Sequence, residues 1–80
     1  MSKRNYTILL HPDPEEGGYT VTVPALPGCV TQGETLEEAI AMAREAISLH
    51  IEGLVASGRP VPDGDEGTQA ITIAVDAPAA

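Results

Sequence analysis

Few side chains in this sequence are of types that do chemistry, and only one group of them is clustered. His11 precedes Asp13, Glu15 and Glu16 within a single short segment, the residue types of a general base with a carboxylate orienter or of a metal site. Metal ligands need fixed geometry and supporting hydrogen bonds. The segment Pro12–Gly18 instead holds two prolines, three acids and two glycines, the composition of an exposed turn. It therefore reads as a patch of charge, and Asp13, Glu15 and Glu16 beside Tyr19 are the candidate partner-binding residues, with the aromatic ring as anchor. Cys29 has no basic neighbour in sequence to lower its pKa and reads as a packing residue. His50 lies in the apolar sector of a helical pattern, beside Ile47 and Ile51, and reads as a core-edge residue. Met42 and Leu49 fall on a flank of that helix away from the main apolar stripe and are the candidate subunit contact. No residue is assigned to catalysis, to a cofactor or to a metal.

The elements that position these residues follow from periodicity. Asn5–His11 alternates, with Tyr6, Ile8 and Leu10 on one side, and predicts a first strand. The Pro/Gly turn then leads to Tyr19–Val23, a second alternating strand antiparallel to the first. Two prolines and a glycine in Pro24–Gly28 break the ladder, and Cys29–Gln32 predicts a short third strand closed by Gly33. Thr35 with Glu38 three residues on is a capping box, and Glu37 and Glu38 sit on the positive end of the helix dipole. From Leu36 the apolar positions Ala39, Ile40, Ala43, Ile47, Ile51 and Leu54 recur at helical spacing until Gly58, Pro60 and Pro62 end the helix. A polar loop, Arg59–Gly67, precedes Gln69–Val75, where Ile71, Ile73 and Val75 alternate with Thr72 and Ala74. This predicts a fourth strand, parallel to the first at the sheet edge, with 76–80 frayed. The fold class is α+β, a two-layer sandwich of order β-β-β-α-β with one helix on a four-stranded mixed sheet.

Composition limits the function classes. Eighty residues form one domain, 1–80, with a core spanning about residues 5–76. The 42% hydrophobic content contains no Phe or Trp and two Tyr, so the core is small and aliphatic, and self-association as a dimer or tetramer is expected. Twelve acids against four basic residues give a net charge of −8, which repels polyanions and draws basic partners. Lys3 and Arg4 lie at the N-terminal end, leaving Arg44 and Arg59 on the folded part, so direct nucleic-acid binding is not expected. A single cysteine excludes an internal disulfide framework. The one early apolar run, Ile8–Leu10, is too short for a signal peptide, and no stretch is long enough for a membrane span; a cytoplasmic location follows by elimination. Gly28 and Gly33 form no phosphate-binding fingerprint.

Taken together, Glu16-Gly-Gly-Tyr19, Val23-Pro-Ala-Leu-Pro-Gly-Cys29, Thr31-Gln-Gly-Glu-Thr-Leu-Glu-Glu-Ala39 and Ala43-Arg-Glu-Ala-Ile47 resemble the HicB-like antitoxin family. The likeness spans about residues 5–76 and rests on residues that build turns, a bend and a capped helix. It implies a fold related to a truncated ribonuclease H core. It also implies a partner, HicA, a small basic ribonuclease of the double-stranded-RNA-binding-domain type that cleaves messenger RNA with a histidine and is masked by HicB. Many members carry a C-terminal DNA-binding segment. This sequence ends at Ala80 after the predicted fourth strand, so a stand-alone member without operator binding is expected. A ribonuclease H site needs carboxylates converging on two metal ions. The first strand offers none, and Asp76 and Glu45 do not rebuild the site, so the chain is expected not to be an enzyme.

The function expected is therefore binding and neutralisation of a HicA-type ribonuclease by masking its active site. The alternative is a stand-alone homo-oligomeric binding module of the same fold with no toxin partner.

Overall fold

The computed structural model describes residues 4–65 and 67–79. Lys3, Glu66 and Ala80, which the sequence places in the N-terminal end, the polar loop and the frayed end, lie outside the described residues. Three strands and one helix follow in the order β1 (Leu9–Pro12), β2 (Tyr19–Thr22), β3 (Val30–Gly33) and α1 (Leu36–Ala56). The strands form one antiparallel sheet in the order β1-β2-β3, so β2 is central and β1 and β3 each keep one free edge. Register places Leu10 opposite Val21 and Val21 opposite Thr31, with Pro12 and Gly33 flanking Tyr19 in the next row towards the hairpin. The alternation expected of Tyr19, Val21 and Val23 holds, because one face must be covered by the helix and the other by solvent.

The helix starts and stops on side-chain and backbone chemistry that can be followed bond by bond. Thr35, in extended conformation, accepts from the Glu38 N–H at 3.1 Å through its hydroxyl, which satisfies one of the orphan donors of the first turn. The reciprocal half of the box is shifted by one residue: the Glu38 carboxylate accepts from the N–H of Glu34, not of Thr35, at 3.4 Å. At the other end, Gly58 at φ +70° lets its own N–H reach Val55 O at 3.1 Å, and Arg59 N–H reaches Leu54 O at 2.9 Å. This pair of bonds is the Schellman closure, and it needs a residue without a Cβ at position 58.

The core has two adjoining parts. Val21, Ala39 and Ala43 are packed on by Ile8, Leu10 and Tyr19. Val23, Leu26 and Cys29 are packed on by Tyr6, Ile8, Ala46, Ile47 and Leu54. Leu26, at the apex of the bend made by Pro24–Gly28, is the largest fully buried side chain among the described residues. Burying a leucine contributes about 1.5–3 kcal/mol, so a core whose other fully buried members are Val21 and alanines gathers little free energy. The helix comes close enough to the sheet to use alanine as its contact residue. At Gly33 that closeness is absolute, since a Cβ there would stand 2.6 Å from the Ala39 Cα and 2.9 Å from the Glu38 carbonyl carbon.

Two expectations are corrected. Residues 69–75 do not join the sheet: Ile71, Ile73 and Val75 are 74%, 74% and 77% exposed, and the sheet has three strands, not the four of a mixed sheet. The physical reason is that the chain before them is held elsewhere. Residues 61–65 run beside residues 4–7, through Tyr6 Oη donating to Pro62 O at 2.7 Å, Asp65 N–H to Asn5 O at 2.6 Å and Thr7 N–H to the Asp65 carboxylate at 2.9 Å. That strap also shortens the first strand, whose ladder begins at Leu9 and not at Asn5. Arg4 is part of it, donating to Val61 O and Pro62 O.

Two substitutions test this packing by urea denaturation. Gly33→Ala is expected to cost about 1–3 kcal/mol, because helix backbone has to move. Gly53→Ala, in the helix interior with open space around a Cβ, is expected to raise stability by up to about 1 kcal/mol.

Candidate functional site

The hairpin tip is built by Asp13. Its carboxylate oxygen Oδ1 accepts from the N–H groups of Glu15 at 2.9 Å and Glu16 at 3.2 Å, while its backbone N–H donates to Gly18 O at 3.0 Å and its carbonyl accepts from Gly17 N–H at 2.9 Å. Gly17 and Gly18 both take φ +78°, the conformation that closes the turn. Gly18 also passes so near the end of β3 that a Cβ would stand 2.8 Å from Gly33 O. The tip is thereby folded down against the junction of β3 and α1.

This contact creates an open cleft of about 540 Å³. Asp13, Glu16, Gly17, Gly18, Tyr19 and Thr20 line it from the hairpin, and Gln32, Gly33, Glu34 and Glu38 from the strand end and helix start. Four of these residues are acids and none is Lys or Arg. A concave wall of one sign attracts the opposite charge more strongly than the same residues spread on a convex surface. The chemistry on offer is recognition of Arg or Lys side chains, by charge and by carboxylate acceptors.

Of the predicted partner-binding residues, Asp13, Glu16 and Tyr19 come together here, whereas Glu15 is exposed on the turn and does not line the cleft. Asp13 has a second role, since one of its oxygens is occupied in shaping the turn. Tyr19 is half-buried against the Val21–Ala39–Ala43 cluster and so forms the cleft's apolar wall. Sequence reasoning missed Glu34 and Glu38 as members of the site. The available signal was Gly33 itself, a glycine closing a strand immediately before a capped helix.

The remaining candidates lie apart. His11 is exposed, its Nε2 3.0 Å from the Thr22 hydroxyl across the open face of the sheet. His50 is half-buried on the helix. Cys29 is buried at 5% exposure within the Val23–Leu26 cluster, and desolvation pushes its thiol above the ordinary 9.0. Met42 and Leu49 are exposed on α1. Among the described residues no group of three or more His, Cys, Asp or Glu side chains is arranged to hold a metal ion. Among the same residues no helix is long and apolar enough to cross a membrane.

Residues 6–76 match the model of the HicB-like antitoxins of bacterial toxin–antitoxin systems. A UPF0150 protein of Synechocystis is 46% identical over 71 residues, covering 89% of both chains. A UPF0150 protein of Thermoplasma acidophilum is 47% identical over 57 residues, 71% of this chain and 81% of that one. Antitoxin HicB 1 of Photorhabdus laumondii is 40% identical over 57 residues, which are 71% of this chain and 36% of the longer relative. The chain belongs to the HicB-like antitoxin family.

Burial of Cys29 makes a direct prediction. Its reaction with a disulfide reagent in native buffer should be slow and should accelerate to the free-thiol rate in urea; immediate native labelling would contradict the packing. The unfolded thiol ionises at lower pH than the folded one, so the stability that Cys29 contributes is intact below 9.0 and declines as pH rises through that value.

Proposed function

We propose that this protein neutralises a small, basic HicA-type messenger-RNA ribonuclease by binding over its active site, and that it has no catalytic activity of its own. Family membership over residues 6–76 supports the toxin–antitoxin role. The observation that carries the mode of binding is the cleft with four carboxylates and no cation among its lining residues. A ribonuclease that holds RNA must present Lys and Arg around its reactive histidine. An acidic concave surface competes for those same cations and steers the encounter at long range. Tyr19 supplies the apolar wall against which an arginine stem or guanidinium can stack. Glu15, projecting beside the cleft, adds to the field without lining the wall. The cytoplasm, where the toxin meets its transcript, is the compartment in which this occurs.

A second reading, a homo-oligomeric binding module without a toxin, is favoured by one observation, the exposed apolar alternation of Ile71, Ile73 and Val75. The two readings are compatible in that an antitoxin can act as a dimer or tetramer. Met42 and Leu49 are the helix residues proposed for such a subunit contact.

Charge reversal separates the acidic-cleft mode from any other. Glu16→Lys with Glu34→Lys leaves the Asp13 turn bonds in place and should weaken toxin binding by about 30-fold or more, the loss of two partly desolvated charge contacts. The salt dependence of binding should fall with it. Unchanged affinity, measured by titration calorimetry, moves the interface off the cleft.

A further inference from the structure

The segment after the strap has the pattern of a strand and, among the described residues, no strand partner. After Asp65 the chain turns through Gly67 at φ +82°, with Thr68 N–H donating to Asp65 O at 3.0 Å. Among the described residues this is the one backbone hydrogen bond that residues 67–79 make. Ile71, Ile73 and Val75 alternate in sequence with Thr72 and Ala74, bounded by Gly67 before and Pro78 after, and each is about three-quarters exposed. The radius of gyration, 15.2 Å, exceeds the roughly 12 Å of a compact chain of this length, and the longest dimension is 48 Å. The segment stands away from the body.

The same chain carries the complementary half. Among the described residues β1 pairs with β2 alone, which leaves its outer edge from Leu9 to Pro12 unpaired there, and Leu10 and the preceding Ile8 are only half-buried on the helix side. Ile40 and Ile51 of α1 are half-buried as well. An unpaired edge next to incompletely covered apolar residues accepts an added strand, whose backbone bonds give affinity and whose alternate side chains fill the uncovered row.

We infer that residues 69–75 of one copy add as a fourth strand to the outer edge of β1 in a second copy, reciprocally, so that the two chains form a strand-exchanged dimer. The strap selects the second copy. It fixes residues 61–65 against residues 4–7, and the tail leaves from there into solvent and not onto its own β1. Charge selects the occupant too. Within 67–79 Asp76 is the one ionised side chain, and residues 5–12 carry no acid or strong base, so the two halves meet without the repulsion that a net charge of −8 would otherwise impose. A basic partner would be drawn to the acidic cleft instead. Exchange around a two-fold axis uses each edge once and closes. This inference stands independently of whether a toxin binds.

The test uses the full chain. Sedimentation equilibrium at micromolar concentration is expected to show a dimer. In a mixture of carbon-13-labelled and unlabelled chains, isotope-filtered spectra should show contacts between the Ile71 and Ile73 methyls of one chain and the Leu10 or Ile8 methyls of the other. Ile73→Asp should raise the dimer dissociation constant at least about 30-fold, with the helical circular-dichroism signal retained. If that variant fails to fold, the filtered spectra of the unaltered protein decide. A monomer, methyl contacts confined within one chain, or a folded Ile73→Asp protein that dimerises normally overturns the inference.

Discussion

The structure depends on how closely the start of α1 approaches the end of β3. At Gly33 no side chain fits between strand and helix backbone, and Thr35 begins the helix two residues later. Because the chain turns so abruptly, the helix lies over the sheet on alanines, with Ala39 and Ala43 against Val21. The same closeness brings Glu34 and Glu38 beside the hairpin tip, where Gly18 passes over Gly33. One steric constraint thus fixes the layer spacing, the helix direction and the acidic cleft.

That economy has a cost in core volume. A sheet–helix contact made through alanine and glycine buries little apolar area, and the fold compensates with Leu26 in the bend and with the strap that ties 61–65 to 4–7. Small scaffolds with limited cores gain stability from association. Surplus apolar residues on the segment after the strap, together with an open edge at β1, fit that need. The proposed function rests on the same division of surfaces: charge is concentrated at the hairpin and helix start, and neutral, strand-forming sequence follows the strap.

Much of this was legible in the sequence because it is written in local signals. Capping by Thr35, termination at Gly58, the Pro/Gly hairpin and the alternation of Tyr19, Val21 and Val23 each depend on neighbouring residues, and each stands where periodicity and turn chemistry put it. What was not legible is tertiary. Ile71, Ile73 and Val75 alternate as a strand must, but alternation does not say which edge the strand occupies or in which chain, and the strap that carries it away from its own sheet depends on bonds from Tyr6 and Asp65 across more than fifty residues. Likewise, Asp13 and Glu16 could be read as a charged turn, whereas their union with Glu34 and Glu38 required knowing that Gly18 and Gly33 touch.

We propose that this acidic member of the HicB-like antitoxin family silences a basic ribonuclease by occupying its surface. The most direct measurement is RNA cleavage by a small basic HicA-type ribonuclease, titrated with this chain. Cleavage is expected to fall in proportion to added protein and to be abolished at a fixed stoichiometric ratio. Cleavage that continues undiminished in the presence of excess protein would contradict it.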